Sequence, residues 1–180
     1  MILLNFDPLV HLYTPQPLTI RYQTSDGTWH RYTPDGLIEY RKDIFVHDTR
    51  PILVEVKYRE DFIGQSKTWI PKYRAAKRYA EEQGWLFEVF TEDKIRTPFL
   101  DNVRFLTPYL ERGEPELMIW ISDQLVELGM CTPKTLLSSL YRDKWNQAQL
   151  IPSLWALIAR REIGCDLTTP ITMNSNIWAL

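Results

Sequence analysis

Cysteine is scarce. Cys131 and Cys165 are the only two in 180 residues, and neither sits at metal-ligand spacing. Their isolation excludes a disulfide framework and fits a reducing compartment. Histidine is as thin: His11, His30 and His47 are scattered and form no zinc pattern. No apolar run approaches the ~20 residues that span a bilayer. The N-terminus has no basic segment ahead of its apolar residues, and Asp7-Pro8 interrupts them early. A soluble, cytoplasmic protein with no membrane partner is expected. There is also no internal repeat, no low-complexity tract and no large net charge, the formal value being −2.

Aromatics are abundant, with 7 Trp and 9 Tyr, which suits either a dense core or a surface that meets partners. Charge is unevenly placed. From Lys57 to Arg78 the bases Lys57, Arg59, Lys67, Lys72, Arg74, Lys77 and Arg78 face only Glu60 and Asp61. A local basic ridge in a near-neutral chain points to phosphate contact at one place, and a solvated helix face is the alternative.

Leu18–Gln23 alternates as a strand, Ser25-Asp26-Gly27-Thr28 reads as a hairpin turn, and Trp29–Tyr32 returns. Pro34-Asp35 breaks regularity before Leu37–Tyr40. Ile52-Leu53-Val54-Glu55-Val56-Lys57 is the strongest strand signal. Pro71 to Gln83 reads as a helix, with Pro71 at its first position and Gly84 just past its end. Trp85–Thr91 reads as a buried strand. This order predicts an α/β (α+β) layer arrangement with a mixed sheet. Leu110 to Glu116 is the best linker, so residues 1–106 and 107–180 are expected to form separate domains. Beyond it, helices are predicted over Leu117–Leu128, from Thr132-Pro133 through Tyr141, and through Leu154, Leu157 and Ile158. The tail from Asp166 to Leu180 suits a short β-wing, giving a winged-helix-like module.

Residues two apart in a strand share a face. Glu55 and Lys57 should therefore point together to one side, with Val54 and Val56 turned into the core. If the chain turns near Phe45, residues whose numbers sum to ninety lie opposite each other. Asp35 then faces Glu55, with side chains roughly 5 Å apart. Two opposed carboxylates repel, and a cation between them relieves that. Their hard oxygens suit Mg²⁺ or Mn²⁺, which polarises a phosphate and lowers the pKa of a bound water. Lys57, on the same face, can orient that water or offset charge growing on the phosphorane. Together these parts suffice for phosphodiester hydrolysis.

Pro-Asp followed about twenty residues later by Glu-Val-Lys resembles the PD-(D/E)xK nuclease signature of restriction-endonuclease-like proteins. Phe6-Asp7-Pro8, Gln16-Pro17, Arg31-Tyr32-Thr33-Pro34-Asp35 and Leu53-Val54-Glu55-Val56-Lys57 resemble the N-terminal domain of TnsA, the endonuclease subunit of heteromeric transposases. Gly84-Trp85, Phe87, Thr91-Glu92 and Ile95-Arg96 extend the likeness. Trp155-Ala156-Leu157-Ile158-Ala159 and Cys165-Asp166-Leu167 are similar to the TnsA C-terminal domain. The resemblance implies a restriction-endonuclease-like mixed sheet with flanking helices. It implies Asp35 and Glu55 as metal ligands, Lys57 as the catalytic lysine, and nicking at transposon 5′ ends. It further implies transposon-end DNA, a DDE transposase (TnsB) and an AAA+ ATPase (TnsC) as partners, the helical domain docking the ATPase. The basic residues Lys67, Lys72, Arg74, Lys77 and Arg78 are expected along the DNA. In the helical part acids slightly outnumber bases, which favours a protein partner there over unaided DNA binding.

Two departures from the family pattern stand out. Its members carry a further acidic residue on a helix ahead of the Phe-Asp-Pro segment, whereas this chain starts just before that segment. Gly36 replaces a bulkier apolar residue and is expected to loosen the Asp35 backbone. A stand-alone restriction- or repair-type nuclease and a non-catalytic DNA-associated adaptor remain as alternatives.

Overall fold

The computed structural model describes residues 2–43, 48–64 and 66–180, with the side chains of 62–68 left aside. The turn expected near Phe45 and the side chain of Lys67 fall outside the described residues. Two compact units divide the chain, Leu3–Ile95 and Arg96–Leu180.

The first unit opens with α1 (Ile2–Phe6), β1 (Val10–Pro15), β2 (Ile20–Gln23), β3 (Trp29–Tyr32), β4 (Gly36–Tyr40) and β5 (Ile52–Val56). Then come α2 (Arg59–Gly64), α3 (Ser66–Glu82), β6 (Leu86–Phe90) and α4 (Glu92–Ile95). The sheet has the order β1-β4-β5-β6, antiparallel except for the parallel pair β5–β6. β2 and β3 form a separate hairpin, turned by Gly27 at φ 85°. This is the mixed-sheet, helix-flanked arrangement that the order of sequence patterns predicts.

A parallel neighbour requires a crossover, and α3 supplies it. Its Ala76 and Ala80, four residues apart, are fully buried and let the helix lie close to the sheet. Ile20, Tyr32, Leu37, Leu53 and Ala75 complete that core. α3 ends in the left-handed Gly84 (φ 74°). There the N–H of Trp85 reaches the Ala80 carbonyl at 2.7 Å, and that of Gly84 reaches Glu81 at 3.0 Å, closing the carbonyls left open at a helix end. The start differs from expectation. Pro71 lies inside α3 rather than at its first position, because the helix is carried upstream by another turn and tertiary packing tolerates one missing N–H. β5 also departs from simple alternation. Leu53, Val54 and Glu55 are all buried and Val56 is 36% exposed, so Val56 is not a core residue. Central strands are covered on both faces, which erases the period-two burial pattern.

The second unit contains α5 (Pro98–Leu106), a 3₁₀ turn (Thr107–Tyr109), α6 (Pro115–Leu128), α7 (Pro133–Leu140) and α8 (Lys144–Ala159). An antiparallel ribbon, β7 (Ile163–Cys165) with β8 (Ile177–Ala179), follows. Ile121, Leu125, Leu136, Leu150, Leu154, Leu157 and Ile177 are its fully buried centre. Gly129 (φ 70°) ends α6, and Thr132 caps α7 by accepting the Thr135 N–H.

The segment Leu110–Glu116 lies within this unit. Arg160 donates to the Leu110 carbonyl at 2.8 Å and Ser153 Oγ accepts the Glu114 N–H at 3.1 Å, while a Cβ at Gly113 would overlap Met118 and Ala156. Polar, glycine-containing composition thus marks a packed loop here, and α5 belongs with the helices that follow it. Among the described residues, no helix is long and apolar enough to cross a membrane.

Candidate active site

The β4–β5 register pairs Gly36 with Val54, Leu37 with Leu53 and Ile38 with Ile52. Each pair sums to ninety, as the sequence spacing predicts. Asp35 therefore stands just ahead of β4 at the end of β5 that carries Glu55. Its Oδ2 accepts the Val56 N–H at 2.7 Å, tying the side chain to β5 directly. The Asp35 carbonyl accepts twice more, from the Gln16 N–H at 3.0 Å and the Tyr13 hydroxyl at 3.1 Å.

Gly36 allows the second of these contacts, since a Cβ there would overlap the Tyr13 ring. The expectation that Gly36 loosens the Asp35 backbone is corrected. The missing side chain admits the tyrosine that holds Asp35. Burial, and then the Asp35 charge, push the Tyr13 phenol up, so it remains a donor.

Glu55 is 3% exposed, and a bare carboxylate there would be strongly disfavoured. Both of its oxygens are occupied. Oε2 accepts the Tyr32 hydroxyl at 2.7 Å. Oε1 meets Lys72 Nζ at 3.0 Å and Lys57 Nζ at 3.5 Å. Lys57 reaches it from the same strand side, because its N–H donates to the Phe90 carbonyl at 3.0 Å and so prolongs the β5–β6 ladder. The pair Glu55–Lys57 shares one side, as alternation requires.

Around the ammonium of Lys72 stand three rings: Trp69 with its centroid at 4.0 Å, Tyr32 at 4.7 Å and Tyr73 at 5.0 Å. Lys57 lies 5.0 Å from the Trp69 centroid. Burial lowers the Lys72 pKa, with Glu55 opposing that shift. Burial also raises Tyr32 and Tyr73 well above the ordinary phenol value, and the negative charge of Glu55 adds to both. The hydroxyls around the carboxylate thus stay protonated.

The basic ridge divides in two. Lys72 is not on its exposed face. The helical period sets Lys72 beside Trp69, Tyr73 and Ala76 on the inward side, and its side chain is 13% exposed. Lys77 and Arg78 are 70% and 73% exposed, with 3.9 Å pairs to Glu81 and Glu82 too loose and too solvated to neutralise them. Arg74 is exposed as well. With Lys77 it borders an apolar groove of about 550 Å³ lined by Trp69, Ile70, Tyr73, Phe87 and Val89.

Mg²⁺ and Mn²⁺ are the ions expected between Asp35 and Glu55, and the donor chemistry fits. Both side chains offer hard oxygens and both are held from behind. Oε1 of Glu55 already faces a cation, the Lys72 ammonium standing in for one. Among the described residues no set of three or more His, Cys, Asp or Glu converges. Mg²⁺ is commonly held by one or two carboxylates, with waters and a phosphate completing its shell.

Sequence reasoning missed Tyr32, Trp69 and Tyr73 and placed Lys72 elsewhere. Tyr32 had a legible signal, lying three residues ahead of Asp35 at the end of a strand. Tyr73 falls on the ordinary apolar period of α3 with Ala76 and Ala80, and no local pattern marks Trp69 as part of a site.

Two family models match the chain: TnsA-like endonuclease N terminal over residues 7–92, and TnsA endonuclease C terminal over residues 94–167. Their junction falls beside the division between the two compact units. No curated protein matches the chain significantly.

Proposed function

The chain belongs to the TnsA endonuclease family, and on that premise we propose that it nicks DNA at transposon 5′ ends in a divalent-metal-dependent reaction. Asp35 and Glu55 hold the Mg²⁺ or Mn²⁺, and Lys57 serves the reacting water and phosphate. The observation that carries this reading is the meeting of Glu55, Lys57 and the β5-tethered Asp35 at one strand end.

When bound, the metal supplies charge stabilisation at the scissile phosphate and lowers the pKa of a bound water. The rest falls to the chain. Tyr32 holds Glu55 in one rotamer, and the Val56 N–H with the Tyr13 hydroxyl fixes Asp35. Lys57, 28% exposed, keeps its ammonium beside Glu55 yet accessible. There it can orient the attacking water and offset charge on the phosphorane. Arg74, Lys77 and Arg78 contact the DNA backbone.

The helical unit docks the AAA+ regulator (TnsC), and the DDE transposase (TnsB) completes the excision complex in the cytoplasm. The C-terminal family match across 94–167 favours this assembly over a stand-alone restriction- or repair-type nuclease. The test is nicking of transposon-end DNA reconstituted with the DDE partner, alongside Mn²⁺ titration calorimetry. Lys57→Ala should abolish nicking and keep metal binding, whereas Asp35→Ala and Glu55→Ala should lose both. Wild-type nicking by Glu55→Ala would remove this site.

A further inference from the structure

Lys72 is the residue whose position the sequence least foretells. It sits on α3, outside the Asp35–Glu55–Lys57 motif, and a helical lysine beside Arg74 and Lys77 would ordinarily be solvated. Instead its Nζ lies 3.0 Å from Glu55 Oε1 inside the Trp69, Tyr32 and Tyr73 rings. That oxygen is one that a metal at Asp35 and Glu55 would need.

The charges explain the arrangement. Asp35, Glu55, Lys57 and Lys72 sum to zero, so the metal-free site is neutral. Adding a divalent cation against Oε1 would bring two positive charges to within a few ångströms of the Lys72 ammonium, in surroundings where charges are weakly screened. Both cannot share Oε1 at close range. Lys57 poses less of an obstacle, because it is farther from the oxygen and more exposed. Lys72 can move off on its flexible four-carbon stem, and the aromatic faces can still hold an ammonium that has left the carboxylate.

We infer that Lys72 is the resident counter-cation of Glu55 in the metal-free protein, and that divalent metal binds by displacing its ammonium. Lys72 is thus a positioning residue. It keeps Glu55 paired and oriented in its buried place until the metal arrives, and it sets metal affinity by competing for the same oxygen. A DNA phosphate adds a negative charge and shifts the competition toward the metal, coupling metal uptake to substrate. The inference rests on the metal-dependent reading above and adds a direction that the reading does not contain.

The test is titration of the full-length protein with Mn²⁺ by calorimetry, without DNA, for wild type, Lys72→Met, Lys72→Arg and Glu55→Gln. Lys72→Met removes the competing charge and keeps an apolar chain among the rings. It should bind Mn²⁺ about tenfold more tightly or better, whereas Lys72→Arg should stay near wild type and Glu55→Gln should bind poorly. A merely structural lysine would lower stability without tightening metal binding. Lys72→Met affinity equal to or weaker than wild type, with both binding, overturns this inference alone. Absence of binding in wild type and Lys72→Met alike overturns the metal-dependent reading with it.

A second measurement needs no folded variant. The ¹⁵N signal of the Lys72 ammonium, displaced by its three rings, should move on saturation of the wild type with Mg²⁺. A signal that stays fixed at saturation overturns the proposal.

Discussion

Replacing Tyr32 by phenylalanine deletes one oxygen and keeps the ring. That hydroxyl donates 2.7 Å to Glu55 Oε2, where Glu55 is 3% exposed and Tyr32 6%. A short bond to a charged acceptor belongs to the stronger class, about 1.5–3 kcal/mol. The packing should survive, because the Tyr73 ring 6.4 Å away and the Lys72 ammonium 4.7 Å away address the ring and not the hydroxyl. Lys72 and Lys57 remain on Oε1, so the loss is confined to one unsatisfied oxygen, about 2 kcal/mol. For a unit of this size that lowers the melting temperature by roughly 8–15 °C. Calorimetry of the metal-free protein at neutral pH measures it. In a Glu55→Gln background the acceptor is neutral, and the same substitution should destabilise by only about 1 kcal/mol. A Tyr32→Phe protein melting within about 1 °C of wild type, or the same loss in both backgrounds, would refute the reasoning.

Gly36→Ala should force the Tyr13 ring off the Asp35 carbonyl and destabilise by about 1–3 kcal/mol in urea titration; a Tyr13→Ala background should remove most of that effect. Asn102 is 3% exposed and holds the carbonyls of Leu167 and Thr169 and the N–H of Ile171. Asn102→Ala should therefore lose about 2–3 kcal/mol and speed hydrogen exchange at Ile171; unchanged exchange there would count against it. Burial, and then Asp166, push the Cys165 thiol up to about 11, so native protein at pH 8 should alkylate far more slowly than denatured chain. An unfolded thiol near 9.0 loses its proton first, so this group's contribution to stability should fall as pH rises from 9 toward 11. Charge reversal at Arg74, Lys77 or Arg78 should weaken DNA binding similarly across sequences and reduce the salt slope by about one for each phosphate no longer neutralised. An unchanged slope would make them a solvated face.

Much of this was legible along the chain. Strand alternation set Glu55 and Lys57 on one side, and the distance from Asp35 to Glu55 set their register, because both follow from backbone periodicity and hairpin arithmetic. Glycine punctuation was equally readable at Gly27, Gly84 and Gly129, where the backbone turns left-handed. The motif spacing sufficed to point at the family before any geometry was known.

What the sequence leaves open depends on residues far apart in number meeting in space. Burial of Glu55 depends on the β2–β3 hairpin and α3 closing over one strand end, and no local pattern announces a closed carboxylate. Gly36 reads as a loosening until Tyr13, from another strand, is found in the space it leaves. Leu110–Glu116 has linker composition, but hydrogen bonds from α8 and its flank make it a packed loop. Lys72 looks like its basic neighbours in one dimension. Only the helical rotation of α3 against the sheet turns it from solvent to the Glu55 carboxylate, and one residue's difference in phase would have sent it back out.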